Sequence, residues 1–541
     1  MTDPVPVRDA VLENFRWWER GIIYQIYPRS FMDANGDGIG DLAGIRSRLD
    51  YLEWLGADAI WISPIYPSPM ADFGYDVSNY TDIDPIFGTL AEFDALIADV
   101  HSRGMKLLLD YVPNHTSDRH SWFIDARSSR TSAKRDWYIW RDPAPGGGPP
   151  NNWRSNFGGG AWEWDEATKQ YYYHAFLKEQ PDLNWRNPEV QRAMLDVLRF
   201  WLGRGVDGFR VDVMHHLMKD TSFRDNPKNP DFQPGMSPYR ELLATYSADL
   251  PEVQEIVALM RGVVEEFDDR MMVGEIYLPV ERLMAYYGAS GKGAHLPFNF
   301  QLIRLSWNAR EIAGAVNRYE ALLPQDAWPN WVLGNHDKPR IVSRVGAAQA
   351  RVAAMLLLTL RGTPTMYYGD EIGMSNVEIP PERVQDPFEK NVPGLGLGRD
   401  PVRTPMQWND ARNAGFSSAA PWLPLADDWR KVNVAAECED ATSMLTLYRR
   451  LIELRRAEPA LAVGAYAMLE ADEDVIAYTR QADMRRLLVA LNFASAERAF
   501  DLAPWSARAT ILLSTHLDRS REALGAKLRL RADEGVIVEL A

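Results

Sequence analysis

The stretch VDGFRVDV, residues 206–213, sets two aspartates and an arginine among β-branched and aromatic side chains. Short runs of this composition, bounded by Gly or Pro, are typical of buried β-strands. Seven similar runs flank it: GIIYQIYP from residue 21, DAIWISP from 58, MKLLLDYVP from 105, MMVGEIY from 271, LPFNFQL from 296, WVLGNHD from 331 and TPTMYYGDEI from 363. The chain therefore carries a series of eight predicted strands.

Amphipathic segments separate these runs, with apolar residues three or four positions apart, as in Ile45, Leu49 and Leu52. Alternating strands and helices are the pattern of an α/β fold with a parallel sheet. Eight such units predict a closed (β/α)8 TIM barrel. Chemistry in this fold is expected at the carboxyl ends of the strands.

The spacing of the runs predicts where the barrel is interrupted. The third and fourth runs are far apart, and the stretch between them is rich in Trp, Tyr and Gly. We expect a first barrel part over residues 1–113, an inserted domain over 114–184, and a second barrel part over 185–462 with a Pro-rich excursion over 373–429. Residues 463–541 contain the alternating segments DVIAYTR, RRLLVALNF and EGVIVEL, which predict an antiparallel β-sandwich domain.

Composition excludes several classes of protein. The 541 residues include 59 Lys and Arg against 75 Asp and Glu, a net charge of −16, with 46% hydrophobic residues. These fractions are globular rather than disordered, and the acidic balance disfavours a nucleic-acid partner. Cys438 is the single cysteine, so a disulfide framework or a cysteine-ligated zinc site is excluded and a reducing compartment is favoured.

Two further observations favour a cytoplasmic protein without a membrane partner. The first residues, MTDPVPVRDAVLENF, lack the basic start and apolar stretch of a signal peptide. The longest apolar run, residues 352–360, is too short to cross a bilayer. The sequence leaves the oligomeric state open.

Ionisable residues follow several predicted strands, where a purely structural barrel needs only a turn. They are Asp110, Asn114 and His115 in DYVPNH, Arg210 and Asp212 in GFRVDV, Glu275 in GEIY, and His336 and Asp337 in GNHD. Residues two apart on a strand face the same way, so we expect Arg210 to lie beside Asp212 and to hold it ionised, as a nucleophile requires. Glu275 ends an apolar strand, a setting that favours the protonated form needed by a general acid.

Two carboxylates with these opposite roles are what glycoside hydrolysis needs. They lie about 5 to 5.5 Å apart in retaining enzymes and farther apart in inverting ones. The alternative for any single carboxylate is a helix cap or a plain ion pair with a neighbouring arginine. For the whole set of strand ends, that alternative is poor.

These segments resemble the α-amylase family of glycoside hydrolases, family 13, and within it the oligo-1,6-glucosidase and α-glucosidase group. The resemblance runs from about residue 17 to the C-terminus. DYVPNH, GFRVDV, GEIY and NHD occur in the order of four family regions, QPDLN at residues 180–184 is similar to the marker of the subgroup, and GADAIWISP and GTPTMYYGDEIGM match two further segments. The resemblance implies that Asp212 is the nucleophile, Glu275 the acid/base and Asp337 a third carboxylate that binds sugar hydroxyls.

The resemblance also implies a set of substrate-binding residues. His115, His336 and Arg210 correspond to donors around the bound glucose. In the loop ADFGYD, Asp72 corresponds to the residue that holds the non-reducing end, and Tyr75 to the ring that stacks on the sugar. Arg403, in VRTPMQW, corresponds to the arginine that pairs with Asp72; a plain surface pair is the alternative.

The implied function is that of a retaining, exo-acting α-glucosidase, which releases glucose from the non-reducing end of short α-glucosides through a covalent β-glucosyl-aspartate. Val213, after the nucleophile, accompanies α-1,6 hydrolysis in the subgroup, but one or two methyl groups discriminate by only about 1 to 3 kcal/mol. Barrel packing is the other reading of Val213. The bond preference, and the choice between hydrolysis and transglucosylation or sucrose isomerisation, therefore stay open. A remote alternative is a non-catalytic relative of transporter heavy chains.

After the first strand, the loop DANGDGIGD places oxygen-bearing residues at alternating positions. Asp33, Asn35, Asp37, the Ile39 carbonyl and Asp41 are expected to gather around a structural Ca²⁺ or Mg²⁺. A glycine stands where an EF-hand needs its last glutamate, so the loop instead resembles the divalent-cation loop of the oligo-1,6-glucosidase group. An Asx- and Gly-rich turn without an ion is the alternative. No organic cofactor is expected.

Overall fold

A computed structural model describes residues 11–469, 473–506 and 508–540. The first ten residues lie outside the described part. They include most of the segment MTDPVPVRDAVLENF, which we expect not to be a signal peptide. The strands, in chain order, are β1 Ile23–Ile26, β2 Ala59–Ile62, β3 Lys106–Tyr111, β4 Trp140–Arg141, β5 Trp162–Asp165, β6 Gln170–Tyr173, β7 Gly208–Val211, β8 Met271–Gly274, β9 Leu296–Pro297, β10 Asn330–Val332, β11 Thr363–Tyr367, β12 Ala465–Met468, β13 Val475–Ala482, β14 Arg485–Asn492, β15 Arg498–Asp501, β16 Ala509–Ser514, β17 Glu522–Leu524, β18 Lys527–Leu530 and β19 Gly535–Leu540.

The α-helices include short single turns as well as long barrel helices. They are Trp17–Arg20, Pro28–Phe31, Leu42–Ser47, Leu49–Leu55, Leu90–Ser102, Ser121–Ser128, Pro188–Gly203, Val253–Val264, Val280–Leu283, Gln301–Arg304, Ala309–Leu322, Ile341–Thr359, Pro387–Asn391, Val434–Glu439, Met444–Ala457 and Pro459–Ala462.

Eight strands form the predicted barrel. Their order is β10-β11-β1-β2-β3-β7-β8-β9, and every neighbouring pair in this sheet is parallel. Each of the eight predicted runs contains or overlaps one of these strands, so the prediction of an eight-stranded parallel barrel is confirmed. The sixth strand is shorter than expected, since Asn299 accepts a hydrogen bond from the Gln301 N–H and a helical turn begins there.

The connection between β3 and β7 contains a small antiparallel sheet of order β4-β6-β5. Its side chains build their own aromatic cluster, which includes Trp153, Trp162 and Tyr173. An inserted unit after the third barrel strand was expected, and the sheet lies there. The bounds 114–184 stay a prediction.

The C-terminal region is a two-layer antiparallel β structure, as predicted. A six-stranded sheet of order β12-β13-β14-β19-β16-β17 faces the two-stranded ribbon β15-β18. Alternation along β13 explains the layering: Val475 and Ala477 join the core between the layers, whereas Ile476 and Tyr478 join the core shared with the barrel. Both faces of this sheet are therefore buried, one of them against the barrel helices.

The helix Ile341–Thr359 is long and apolar enough, by length and composition, to cross a membrane. In the structure 56% of its most apolar window is buried, and the backbone is non-helical at Gly346 (φ 80°, ψ 160°). Met355, Leu357 and other buried side chains of this helix belong to the main core. The helix is thus a core element between the barrel and the C-terminal sheet.

One buried arginine binds the C-terminal ends of two helices, Ile341–Thr359 and Pro459–Ala462. Arg455, in Met444–Ala457, is 1% exposed. Its guanidinium donates, over 2.7 to 3.4 Å, to the backbone carbonyls of Leu358, Leu360, Gly362, Leu461 and Ala462. Burial lowers the pKa of Arg455 to about 10, so it remains a cation at neutral pH. A single planar fork thus satisfies carbonyls of two separate segments.

We expect Arg455→Met to lower the thermal midpoint by roughly 5 °C or more, because each buried carbonyl left without a donor costs about 1–3 kcal/mol. Arg450→Met is the matched control, since Arg450 is exposed on the same helix. Circular dichroism at one scan rate measures both. Equal midpoints for the two variants would contradict a structural role for the Arg455 fork.

Candidate active site

Arg210, on β7, lies at the centre of a buried carboxylate cluster. Its Nη1 lies 2.8 Å from Asp110 Oδ1 and 2.6 Å from Asp212 Oδ1, and its Nη2 lies 2.8 Å from Glu275 Oε2. Asp110 ends β3, Asp212 follows β7 and Glu275 follows β8, so three adjacent parallel strands deliver the three acids to one edge. The predicted contact between Arg210 and Asp212 is present.

Burial determines how this cluster titrates. It raises the pKa of Asp212 well above its ordinary value; Arg210 opposes the shift, while the charges of Glu275 and Asp110 add to it. The pKa of Asp110 is likewise raised, to about 6, by burial. Arg210 thus favours the ionised form of Asp212, as expected, but it does not cancel the shift, since one guanidinium shared among three acids does not outweigh their desolvation.

The turn after Asp212 is strained. Val213 has φ 35° and ψ 46°, in the left-handed region, which is an outlier for a β-branched residue and costs on the order of 1–3 kcal/mol. Its N–H donates to Glu275 Oε2 at 2.9 Å. Gly274 allows the close packing here, because a Cβ at this position would lie 2.8 Å from the Met214 side chain. The backbone N–H of Val213 thus contacts the side chain of Glu275, the predicted acid/base.

Asp337 lies among cations. Arg403 Nη2 donates to its Oδ1 at 2.9 Å, and Arg399 Nη1 lies 3.5 Å from the same oxygen. Burial alone would raise the pKa of Asp337, but the charges of Arg399, Arg403 and Arg210 hold it below the usual range. Asp337 is consequently ionised across the physiological pH range.

The predicted pairing of Asp72 with Arg403 is wrong. Arg403 is fully buried and donates from Nε to the His336 carbonyl at 2.8 Å, as well as to Asp337. Arg399, four residues earlier, donates to Asp72 Oδ1 at 2.6 Å and also binds Asp386. The helical turn Asp400–Val402 separates the two arginines, so that both lie near Asp337 but only Arg399 contacts Asp72.

The remaining predicted binding residues form a stacked and hydrogen-bonded layer. The Tyr75 ring lies parallel to the His336 ring at 5.4 Å, and its hydroxyl lies 2.8 Å from His336 Nε2 and 3.0 Å from Asp110 Oδ2. His115 Nε2 lies 3.0 Å from the Tyr75 carbonyl. Burial lowers the pKa of both histidines, so they are neutral hydrogen-bonding groups at neutral pH. Arg210, Asp212, Glu275, Asp337, Tyr75, His115 and His336 are therefore brought together.

Sequence reasoning missed Arg399 and Gln180 as site residues. Gln180 Nε2 donates to Asp72 Oδ2 at 3.1 Å and lies 3.1 Å from His115 Nε2. Its signal was present, since it opens the segment QPDLN that was noted as a subgroup marker. Arg399 gave no comparable signal, because GRDPVR contains two arginines and only the folded loop decides which one reaches Asp72.

The DANGDGIGD loop is compact and rich in oxygens. Asp33 accepts the N–H groups of Gly36 and Gly38 at 2.6 and 2.8 Å, and Asp37 Oδ1 accepts the Ile39 N–H at 2.8 Å. Asn35 Oδ1 similarly accepts the Asp37 N–H. Asp33 Oδ1, Asn35 Oδ1 and Asp37 Oδ1 each accept one of these N–H groups and keep a second lone pair, so these residues fit a hard cation.

Asp41 has a different structural role in this loop. Its Oδ1 accepts the Gly44 N–H at 2.6 Å and caps the helix Leu42–Ser47, while its Oδ2 accepts the N–H groups of Ala34 and Asn35. Asp41 thus closes the loop as a helix cap.

A second cluster of possible metal ligands lies in the C-terminal β structure. Among the described residues, the atoms of His516, Asp518 and Glu534 come within 4.8 Å of one another. Arg531 already pairs with both carboxylates at 2.6 Å, and Arg519 lies 3.1 Å from Glu534. The arginines neutralise this group, so it is a structural ion-pair network.

Comparison with known proteins places the chain among glucoside-processing enzymes. Residues 25–464 match the sequence model of the alpha-amylase catalytic domain. A probable alpha-glucosidase of Rhizobium meliloti is 45% identical over 489 residues, covering 87% of this chain and 88% of that protein. An oligo-1,6-glucosidase of Parageobacillus thermoglucosidasius is 38% identical over 554 residues, covering 95% and 97%.

Solved structures with the same fold include enzymes that transfer or rearrange glucosyl groups. The α-glucosyl transfer enzyme XgtA superposes with a TM-score of 0.92 at 40% identity, covering 97% of this chain and 100% of that one. The trehalulose synthase MutB from Pseudomonas mesoacidophila gives a TM-score of 0.89 at 35% identity, with 97% and 100% covered. The similarity extends over nearly the whole chain in both cases.

We expect Asp110→Asn to move the acidic limb of the pH profile of kcat/KM to lower pH. A nucleophilic carboxylate works only when ionised, and the charge of Asp110 contributes to the raised pKa of Asp212. Removing that charge therefore lets Asp212 ionise at lower pH, by about half to one pH unit. Rates with p-nitrophenyl α-D-glucoside measure the limb. Asp207→Asn, a buried carboxylate just before β7 at its other end, is the control that should leave the limb in place.

Proposed function

The chain belongs to the α-amylase family of glycoside hydrolases and is an α-glucosidase of that family, and we propose that it acts as a retaining, exo-acting enzyme through a covalent β-glucosyl-aspartate. The observation that carries the proposal is the single guanidinium of Arg210, which contacts the proposed nucleophile Asp212 and the proposed acid/base Glu275. Short α-glucosides are the proposed substrates.

In the first step, a carboxylate oxygen of Asp212 attacks the anomeric carbon from the β face. The bond to the glycosidic oxygen breaks as Glu275 donates its proton to that oxygen, and the aglycone leaves. In the second step, the Glu275 carboxylate takes a proton from water, whose oxygen attacks the anomeric carbon and releases Asp212. Two inversions return the α-configuration to the product glucose.

Asp337 and the neutral histidines support this chemistry from the side of the sugar. The arginines keep Asp337 ionised, so it is a strong acceptor for sugar hydroxyls. We assign His115 and His336 to hydroxyl recognition and Tyr75 to stacking on the sugar ring. Ring distortion toward the oxocarbenium-like state would strengthen such contacts.

The buried contacts of Asp72 support the exo mode. Asp72 is held by Arg399 at 2.6 Å and by Gln180 at 3.1 Å, and Arg399 is itself anchored to Asp386. These buried groups form a wall with hydrogen-bonding capacity at the position proposed for the non-reducing end. A chain could then enter this subsite only by its terminal sugar.

Transglucosylation is a second candidate outcome of the same intermediate. It is favoured by the similarity to an α-glucosyl transfer enzyme and to a trehalulose synthase. In that case a sugar hydroxyl replaces water in the second step. The presence of Asp212 and Glu275 at Arg210, and of Asp337 at Arg399 and Arg403, argues against a non-catalytic, transporter-heavy-chain-like protein. Val213 would contact the acceptor and bias the choice between α-1,4 and α-1,6 bonds.

We also propose a structural Ca²⁺ or Mg²⁺ at the DANGDGIGD loop. Asp33, Asn35, Asp37, the Ile39 carbonyl and Asp41 would hold it, supported by their alternating oxygens and by the compact turn. Bound there, the cation would neutralise the loop carboxylates and tie the loop to Ser417, which donates to Asp33 at 2.5 Å.

Mechanism-based labelling tests the proposed nucleophile. We expect a 5-fluoro-glucosyl fluoride, which slows both steps, to leave a covalent adduct on the peptide containing Asp212. Asp212→Asn should abolish both the adduct and turnover, while Asp196→Asn on the exposed helix face should label like the wild type.

Product analysis tests the retaining and exo proposals. NMR of maltose, isomaltose and sucrose digests identifies the product anomer and the bond preference, and end-labelled maltotriose identifies the end that is cleaved. Initial β-glucose would exclude retention, and internal cleavage would exclude the exo mode.

Adding Ca²⁺ or Mg²⁺ to chelator-treated protein should raise the thermal midpoint by several degrees, because saturation at 100 times Kd adds about 2.7 kcal/mol to folding. Asp37→Asn should abolish this increase and Asp427→Asn, at another exposed site, should not. Calorimetry of wild-type protein that shows no shift with either ion would rule out the cation site.

A further inference from the structure

The carboxyl group of Glu275 is held asymmetrically. Among the described residues, one hydrogen bond and one ion pair reach this group, and both fall on the same oxygen: Val213 N–H donates to Oε2 at 2.9 Å, and the Arg210 cation lies beside Oε2, with Nη2 at 2.8 Å. Neither a backbone N–H nor a guanidinium can accept a hydrogen bond. A proton on Oε2 would therefore face a donor and a cation, and neither of them is an acceptor.

We propose that Oε1 is the oxygen of Glu275 that carries and delivers the acid proton, and that the backbone N–H of Val213 is the positioning group that imposes this choice. The inference rests on the proposed role of Glu275 as the acid/base. In the first step the proton passes from Oε1 to the glycosidic oxygen as the bond to the anomeric carbon breaks. The charge left on Glu275 is stabilised at Oε2 by Arg210 and Val213. In the second step water returns a proton to Oε1.

The left-handed backbone of Val213 aims this N–H. The chain on either side is fixed, because the Asp212 N–H donates to the Tyr111 carbonyl at 2.8 Å and the Met214 N–H donates to the Glu275 carbonyl at 3.1 Å. Between these two anchors the φ of 35° turns the Val213 peptide group toward the Glu275 side chain. A strained residue that persists between two fixed anchors, next to reacting groups, is a mark of function.

The side chain of Val213 and its N–H thus have separate functions. The side chain would shape the acceptor subsite, whereas the N–H acts only through Glu275. Substitutions at residue 213 that keep the backbone N–H test the first function and leave the second intact. A test of the positioning role must therefore remove the N–H and keep the side chain.

Neutron diffraction of the wild-type protein, crystallised at acidic pH in deuterated buffer, locates the proton directly. We expect deuterium on Oε1 of Glu275, with the Val213 N–D directed at Oε2 and the Arg210 guanidinium beside that oxygen. Deuterium on Oε2 would overturn the proposal, whatever the kinetics of any variant.

The functional test replaces the Val213 amide by an ester. Incorporating α-hydroxyisovaleric acid at residue 213 by cell-free translation keeps the side chain and removes only the N–H. The matched control is the ester at Met214, which removes a hydrogen bond to the Glu275 backbone carbonyl and leaves the carboxylate untouched. Loss of one charge-assisted hydrogen bond should lower kcat/KM for phenyl α-glucoside by about 10-fold, and that for the 2,4-dinitrophenyl analogue much less, since its leaving group needs no proton.

Glu275→Gln distinguishes failure of the acid/base assignment from failure of the positioning role. If Glu275→Gln shows no dependence on the leaving group, the acid/base assignment itself fails. If Glu275→Gln shows that dependence, and the Val213 ester matches the Met214 ester in its leaving-group dependence, the positioning role of Val213 is refuted.

Discussion

The single positive charge of Arg210 is the constraint on which the active site depends. Its fork contacts Asp110, Asp212 and Glu275, which end or follow three neighbouring barrel strands. Because the guanidinium is planar and rigid, these contacts fix the acids relative to one another more tightly than the strands alone would. One cation cannot neutralise three buried acids, so the cluster retains protons that isolated carboxylates would lose. Acid/base chemistry near neutral pH follows from that deficit.

Buried arginines also organise the irregular parts of the fold. Arg399 and Arg403 belong to a loop segment with little regular structure. Side-chain ion pairs with Asp72, Asp386 and Asp337 hold this segment in place, where a strand would be held by backbone hydrogen bonds. Buried ion pairs rarely add net stability over apolar packing, so their presence here is better explained by the geometry they impose. Ion pairs therefore hold the wall of the proposed terminal subsite, whereas apolar packing holds the barrel that carries it.

The sequence predicted the repeating parts of this molecule better than the singular ones. The eight barrel strands and the alternation in the C-terminal sheet follow from local periodicity, and the acids at the strand ends follow from parallel topology. The partner of Asp72 could not be predicted, because two arginines four residues apart are equivalent until the turn between them is formed. The left-handed Val213 was equally invisible, since valine is a usual strand residue. The titration of Asp212 depends on sharing Arg210 with Asp110, a tertiary fact with no local signature.

The charge balance of the site suggests why such sharing is useful. Six carboxylates, those of Asp72, Asp110, Asp212, Glu275, Asp337 and Asp386, surround three guanidiniums, those of Arg210, Arg399 and Arg403. The nearby histidines are neutral, so they do not correct the imbalance. A neutral sugar gains little from an acidic environment, whereas a developing oxocarbenium ion gains much in a site of low dielectric constant. The acids of this set that are ionised, Asp337 among them, thus favour the proposed transition state over the bound substrate, which is the differential binding that catalysis requires.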